Sequence, residues 1–131
     1  MTPTFRIAIV GCGAIVERRY VSALLRMRWR PSALVDISAE RRRSVAAQLG
    51  ACPVQAEQAA DCLDAFDAAV VLAPNAFHQP ICVELLRAGK HVLVEKPMAL
   101  TAAACAAMNR AAFKGRARLR CGARIRLAEV C

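Results

Sequence analysis

Short apolar runs alternate with longer segments in which apolar residues recur at helical spacing. The predicted strands span residues 6–10, 33–36, 52–54, 68–73 and 91–94. The predicted helices span residues 15–27, 39–49, 55–63, 76–87 and 102–112. Helices that separate consecutive strands are typical of a parallel sheet with right-handed crossovers. The run at residues 68–73, AAVVLA, is apolar throughout, as expected for a strand that is buried on both faces.

Small polar residues and glycines mark the ends of several predicted helices. Ser38, Asn75 and Thr101 each precede a helical segment, where their side-chain oxygens can accept a hydrogen bond from the first turn. Gly50 and Gly89 follow helical segments and allow the backbone conformation that ends many helices.

A Gly-x-Gly pattern follows the first predicted strand directly, in the sequence FRIAIVGCG at residues 5–13. Gly11 allows a tight turn after the strand. Gly13 lets backbone N–H groups approach a pyrophosphate at a helix N-terminus, where the helix dipole favours anions. The third glycine position of this motif is Val16, whose branched side chain should push the helix slightly off the sheet. A simple strand–helix turn needs the same glycines, so that alternative stays open.

The second predicted strand ends in an acid, Asp36. A carboxylate at this place can accept both hydroxyls of the adenosine ribose, which favours NAD, and it would repel the 2′-phosphate of NADP. Arg41 or Arg42 could offset that repulsion, so NADP stays open; the alternative for Asp36 is a solvated acid at a strand end. Glycines, acid and element order together predict an α/β fold, a Rossmann-like doubly wound parallel sheet that binds a nicotinamide dinucleotide.

Polar residues also follow the next two predicted strands, at the edge where ligands bind in open α/β sheets. Pro74, Asn75 and His78 follow residues 68–73. Asn75 could bond a nicotinamide ribose or only cap a helix, and a lone histidine such as His78 is more often structural than catalytic. Glu95 and Lys96 end the following strand, and Lys96 places a cation where a nicotinamide ribose or a substrate oxygen would lie.

The length of 131 residues fits one domain, and the formal net charge is +9. Residues 113–131 contain six basic residues against one acid, Glu129. In the rest of the chain, Arg18, Arg19, Arg26 and Arg41–Arg43 fall on predicted helix faces. This distribution argues against a nucleic-acid partner. We therefore expect a dinucleotide-binding domain at residues 1–113 and a loosely attached basic tail at residues 114–131. At residues 116–120 apolar residues alternate with arginine, which leaves open an edge strand or a disordered segment.

The seven cysteines show neither a C-x-x-C pair nor a histidine-rich partner segment. This spacing is typical neither of a disulfide framework nor of a zinc site, so we expect no metal. Most of the thiols are interpreted as small apolar fillers in a reducing cytosol. No run reaches the roughly 18 apolar residues that a membrane span needs. The sequence therefore predicts a cytoplasmic protein with no membrane partner.

Four segments, GCGAI, VDIS, APNAFH and LLRAGKHVLVEKPMAL, occur in this order over about residues 5–112. In sequence and spacing they resemble the N-terminal domain of the glucose–fructose oxidoreductase / inositol dehydrogenase / rhizopine-catabolism (Gfo/Idh/MocA) family. The resemblance implies hydride transfer between NAD(P) and a sugar, a polyol or a related small molecule. It implies that Lys96 touches both cofactor and substrate, as the one candidate catalytic residue. It also implies a cofactor site formed by Gly11, Gly13, Ala14, Ile15, Asp36, Pro74, Asn75, His78, Glu95 and Lys96.

The sequence departs from this family after residue 112. Family members continue into a second α/β domain that supplies most substrate contacts and the acid/base group. The segments that resemble the family all belong to its N-terminal domain. We therefore expect a truncated chain, from a frameshift or a gene fragment, that binds a dinucleotide weakly and catalyses little. Apolar surface near Met98 and Leu100 should then be exposed and allow self-association. The alternatives are a stand-alone dinucleotide-binding or partner-docking module, and a fragment of another two-domain Rossmann reductase.

Overall fold

The computed structural model describes residues 5–50 and 53–122, which form a single parallel sheet with helices on both faces. The strands are β1 (Ile7–Val10), β2 (Ala33–Val35), β3 (Val54–Ala56), β4 (Ala68–Val71), β5 (His91–Glu95) and β6 (Leu119–Gly122). Their order in the sheet is β3-β2-β1-β4-β5-β6, and every neighbouring pair is parallel. This is the order of the dinucleotide-binding Rossmann fold, so the predicted fold class is confirmed.

Four α-helices connect the strands: α1 (Val21–Met27), α2 (Ala39–Leu49), α3 (His78–Arg87) and α4 (Ala102–Gly115). A π-helical turn, Val16–Tyr20, leads directly into α1, and short 3₁₀ segments lie at Ala59–Ala65 and Asn75–Phe77. Within the described part of the chain, no helix has the length and apolar character that a membrane crossing requires.

Two apolar cores lie on opposite faces of the sheet, because neighbouring residues of a strand point to opposite sides. Ala8 and Val10 of β1 belong to one core, and Ile9 between them belongs to the other. The first core packs against α3 and α4 through Phe66, Leu85, Leu86, Met108 and Ala111. The second packs against α1 and α2 through Val21, Leu24, Val45, Ala46 and Leu49. The sheet is thus doubly wound, and its chain order reverses between β1 and β4.

Two of the three predicted N-caps are present. Ser38 Oγ accepts from the Arg41 N–H at 3.2 Å, and Thr101 Oγ1 accepts from the Ala104 N–H at 3.0 Å. The predicted capping of α3 by Asn75 is wrong. Asn75 lies inside a 3₁₀ turn closed by a bond from Phe77 N–H to Pro74 O, and α3 begins only at His78.

The predictions for residues 52–63 were displaced along the chain. Cys52 lies outside the described residues, and the strand runs from Val54 to Ala56, where its backbone pairs with β2. Gln55 and Ala56, which the sequence pattern assigned to a helix, are therefore part of the strand because they pair with β2. The helix predicted at residues 55–63 is instead the 3₁₀ segment Ala59–Ala65, kinked at Cys62 by a φ of −140°.

Regular structure continues beyond residue 113, so the predicted domain boundary falls inside α4. The strand β6 follows and pairs with β5 at the edge of the sheet. His91 fixes the approach to this strand, because its Nδ1 accepts from the Arg118 N–H at 2.9 Å. Arginine alternates with apolar residues here because one face of an edge strand is in solvent. The rest of the predicted basic tail, residues 123–131, lies outside the described residues.

Candidate functional site

A cavity of about 670 Å³ lies at the carboxyl ends of β1, β2 and β4, where the chain order reverses. Open α/β sheets bind their ligands at this point. Predicted site residues that line the cavity are Gly11, Gly13, Ala14, Ile15, Asp36 and Pro74. The structure does not bring the other four predicted site residues into this lining: Asn75, His78, Glu95 and Lys96.

Gly11 forms the tight turn between β1 and the first helical segment. Its φ is +103°, and a Cβ added there would lie 2.7 Å from the backbone nitrogen of Ala73 and 2.8 Å from the carbonyl carbon of Leu72. The backbone that follows β4 therefore passes against Gly11, and any side chain at this position would separate the two central strands.

Gly13 differs from Gly11, because a Cβ added there would meet nothing within 4 Å. The helical segment begins immediately after Gly13, and the first N–H groups of a helix have no partner within the helix. The start of this helical segment, Gly13 to Ile15, thus lines one side of the cavity and has open space in front of Gly13. Val16, at the third glycine position, is fully buried, and the helix adopts its wider π form there.

Asp36 holds the glycine turn in place through its carboxylate. One oxygen, Oδ2, accepts from the Cys12 N–H at 2.8 Å, and the other, Oδ1, accepts from the Ser38 N–H at 2.8 Å. These two bonds exclude the interpretation of Asp36 as a merely solvated acid. A carboxylate has about four lone-pair sites, so two remain for hydroxyl donors in the cavity.

Cys12 lies between the two glycines, and its thiol is almost fully buried. Burial is the main cause that raises the pKa of this thiol to about 12, and the negative charge of Asp36 adds to the effect. The thiol therefore stays protonated at neutral pH and serves as an apolar filler of the turn.

His78 is buried, with 1% of its surface exposed, and its ring lies between two loops of the ligand-binding edge. Nδ1 is 2.9 Å from the carbonyl oxygen of Pro97, and Nε2 is 2.8 Å from the carbonyl oxygen of Ala73. The ring thus joins the loop after β4 to the loop after β5, next to Lys96. Both of these contacts of the ring are with backbone carbonyl groups.

We expect His78→Leu to destabilise the protein by about 2 kcal/mol, because it removes the ring N–H that donates to one of the two carbonyl oxygens and leaves that buried oxygen without a partner. His78→Gln supplies a side-chain amide that can still donate to one of these oxygens, and it should lose about half as much. Urea unfolding of the three proteins measures the difference. A free energy of unfolding for His78→Leu within about 1 kcal/mol of the wild type would contradict the joining role.

Glu95 and Lys96 lie at the end of β5, on the same edge of the sheet but outside the cavity lining. Tyr20 Oη donates to Glu95 Oε1 at 3.4 Å, which connects the end of the π-helical turn to this strand. Burial, followed by the charge of Glu95, raises the pKa of Tyr20. Lys96 and Asn75 are both exposed.

Several cavity residues were not found from the sequence. They are Phe77, Pro80, Ile81 and Glu84 on one wall, and Ile37, Glu57 and Gln58 on another. The spacing of Phe77, Pro80, Ile81 and Glu84 places them on one face of a helix. That spacing could have indicated the first wall, but no sequence signal marks the second.

Residues 5–123 match the model of an oxidoreductase family with an NAD-binding Rossmann fold. The matched range includes β6. The dTDP-3,4-didehydro-2,6-dideoxy-alpha-D-glucose 3-reductase of Streptomyces violaceoruber is 36% identical over 99 residues, which cover 75% of this chain and 29% of that protein. The scyllo-inositol 2-dehydrogenase (NADP(+)) of Bacillus subtilis (strain 168) is 38% identical over 98 residues, which cover 72% of this chain and 29% of that protein. The chain thus spans less than a third of the length of these relatives.

A similar solved structure is that of the WlbA dehydrogenase from Bordetella pertussis in complex with NADH and UDP-GlcNAcA. It has a TM-score of 0.76 and 29% identity, over 91% of this chain and 35% of that chain. A bound NADH there, and NADP(+) in the name of the Bacillus relative, agree with NAD(P) as the cofactor class. The chain belongs to the Gfo/Idh/MocA oxidoreductase family, of which it contains the NAD-binding Rossmann domain.

Proposed function

We propose that this chain binds NAD(P) in the cavity between the ends of β1, β2 and β4, with the pyrophosphate over Gly13. The open space in front of Gly13, at the start of a helical segment, carries this proposal. Backbone N–H groups at Gly13, Ala14 and Ile15 would hold the phosphates, because a helix start favours anions. The two free lone-pair sites of Asp36 would accept the adenosine ribose hydroxyls.

The nicotinamide end of the cofactor would lie toward the loops after β4 and β5. There Pro74 lines the cavity, and Asn75, Glu95 and Lys96 would contact the nicotinamide ribose or the substrate from the rim. His78 acts through the loops that it joins rather than by contact with the cofactor. The nicotinamide ring supplies the hydride chemistry when bound, and this chain orients it.

The activity proposed for the whole protein is hydride transfer between NAD(P) and a sugar, a polyol or a related small molecule. The two relatives act on a nucleotide-linked deoxysugar and on an inositol, as their names state, which supports this substrate class. Lys96 is an exposed cation that directly follows β5 at this edge of the sheet. A group on another part of the full protein would have to complete acid/base transfer, since a proton donor must lie within hydrogen-bond reach of the reacting hydroxyl.

The chain is expected to prefer NAD to NADP, because the Asp36 carboxylate would repel a 2′-phosphate. Asp36→Ser removes the charge and keeps a small hydrogen-bonding group, so the preference should fall about tenfold. Titration of the chain with NADH and with NADPH, followed by nicotinamide fluorescence, measures both affinities.

The control for this comparison is Arg41→Ala, because Arg41 also lines the cavity and would attract the 2′-phosphate. That variant should bind NADPH more weakly than the wild type does. A wild-type preference for NADPH would show that the arginines outweigh Asp36, and the absence of saturable binding of either cofactor would contradict the proposed site.

We also propose that the protein functions in a reducing compartment such as the cytoplasm. Five cysteines in the described part of the chain carry free thiols, and three of them are buried. Self-association is a further proposal, supported by the large exposed fractions of Leu100 and Phe113, 66% and 87%. Met98, which was expected to be exposed, instead packs against the first core.

A further inference from the structure

The edge of the sheet opposite the cavity carries a concentration of positive charge. Because all six strands are parallel, every strand begins at this edge and ends at the cavity edge. The loops before β2 and β6, with the helix ends that lead into them, contribute six basic residues: Arg26, Arg28, Arg30, Lys114, Arg116 and Arg118. We call the surface formed by these six residues the basic edge.

The two loops of the basic edge are near enough to contact one large partner together. In the sheet, β2 and β6 are four strand positions apart, which is about 19 Å at the usual strand spacing. Backbone N–H groups bond the first residues of neighbouring strands along this edge, from Ser32 to Ile7 O at 2.9 Å and from Val92 to Arg118 O at 2.8 Å. The loops are thus held to one continuous side of the sheet.

Helix energetics account for only part of this charge. Arg26 and Lys114 lie in the last turns of α1 and α4, where the helix dipole favours cations. Arg28 and Arg116 differ, because each adopts the left-handed backbone conformation, with a φ of +55° and +52°. No other non-glycine residue in the described part of the chain has a positive φ. Both positions of this edge therefore carry an arginine where the backbone alone favours glycine.

These cations are not neutralised by acids within the described residues. The ion pair at this side of the sheet, 3.2 Å long, joins Arg6 to Asp67 and involves no residue of the basic edge. Arg30 donates to the carbonyl oxygen of its neighbour Trp29 at 3.2 Å. The other five basic side chains make no hydrogen bond within residues 5–50 and 53–122. An anionic partner would therefore meet uncompensated positive charge.

Exposed apolar side chains lie among these cations. Met27 is 60% exposed and Trp29 is 36% exposed, and Leu25, Phe5 at the start of β1 and Phe113 in the last turn of α4 are exposed as well. Arginines mixed with exposed aliphatic and aromatic side chains are typical of surfaces that lie in the interface of an anionic membrane. Single-stranded nucleic acid would use the cations and the aromatic rings, but it offers no apolar environment for Leu25 or Met27.

We propose that the basic edge binds the surface of an anionic phospholipid membrane, with its arginines at the lipid phosphates and Met27 and Trp29 at the boundary of the acyl chains. The expectation of no membrane partner rested on the lack of an apolar run long enough to span a bilayer, and a surface contact needs no such run. The inference does not depend on NAD(P) binding, because the cavity lies at the opposite edge and stays open to solvent.

The fluorescence of Trp29 tests this contact directly, because Trp29 is the single tryptophan of the chain. Vesicles of phosphatidylcholine with about one-third phosphatidylglycerol should shift its emission to shorter wavelength, because the indole leaves water for the anionic interface. Vesicles of phosphatidylcholine alone should cause no shift. Salt at about 1 M should reverse the shift, because it reduces the Debye length to about 3 Å.

The double variant Arg28→Gly, Arg116→Gly should bind the anionic vesicles about 30-fold more weakly, because it removes two cations near the lipid surface. Its thermal midpoint should not fall, since glycine adopts a positive φ readily. The matched control is Arg18→Gln, Arg43→Gln, which removes the same charge from exposed helical positions outside the basic edge. This control should bind within about twofold of the wild type, because distant charges are screened.

The proposal would be overturned by no emission shift with anionic vesicles, by an equal shift with neutral vesicles, or by equal losses of affinity in the two double variants. Oligothymidylate provides the comparison with nucleic acid, because stacking of its bases on Trp29 would quench the fluorescence. Quenching by oligothymidylate without any shift by vesicles would assign the basic edge to single-stranded nucleic acid and would also overturn the proposal.

Discussion

Gly13→Val is expected to weaken NADH binding at least about 100-fold while the protein stays folded. A valine side chain would fill the open space in front of Gly13, where the pyrophosphate must approach the backbone N–H groups. The same space explains why folding should be unaffected, because an added Cβ meets no atom of the protein within 4 Å. Fluorescence titration with NADH gives the affinity, and thermal unfolding gives the stability.

A graded series makes this result specific to the phosphate site. Gly13→Ala adds one methyl group and should weaken binding by less than Gly13→Val does, with the same thermal midpoint. Equal affinity of Gly13→Val and the wild type for NADH would contradict the proposal that the pyrophosphate binds at this turn. A lower thermal midpoint in step with the affinity would show that the loss comes from unfolding.

The strands and helices of the central part were predictable because their hydrophobic periods differ clearly. The continuous apolar run around β4 and the helical spacing of α2 leave little choice of element. The strand β3 was displaced because Val54 and Ala56 are set by pairing with β2, and such pairing is not visible in a short window. Tertiary contacts override local preference where a segment is short.

The chemistry of the site was predictable where it depends on backbone shape. Gly11 and Asp36 lie where the pattern of strand, glycine turn and acid requires them. The pattern could not show that Asp36 also fixes the turn by accepting from Cys12 and Ser38. Nor could it show that both ring nitrogens of His78 lie within hydrogen-bond distance of backbone carbonyl oxygens, because these oxygens belong to two different loops.

The role of Gly115 also depends on a contact between segments that are distant in sequence, so the sequence pattern does not show it. A glycine after a helical segment usually ends the helix in the left-handed conformation, but here Arg116 adopts that conformation, with a φ of +52°. Gly115 is needed for another reason. A Cβ there would overlap the carbonyl oxygen of Leu86 and lie 2.8 Å from its carbonyl carbon, so α3 and α4 touch through their backbones at this point.

Gly115→Ala should therefore destabilise the protein by about 3 kcal/mol or more, a large part of the stability of a domain of this size. The methyl group must push α4 away from α3, and Met108 and Ala111, which are buried against the first core, would lose their packing. Gly50→Ala is the control, because Gly50 has a positive φ and an added Cβ meets nothing within 4 Å. It should lose only the conformational cost of about 1 kcal/mol. Urea unfolding measures both variants, and equal losses in the two would mean that α3 and α4 can separate at Gly115 without cost to the core.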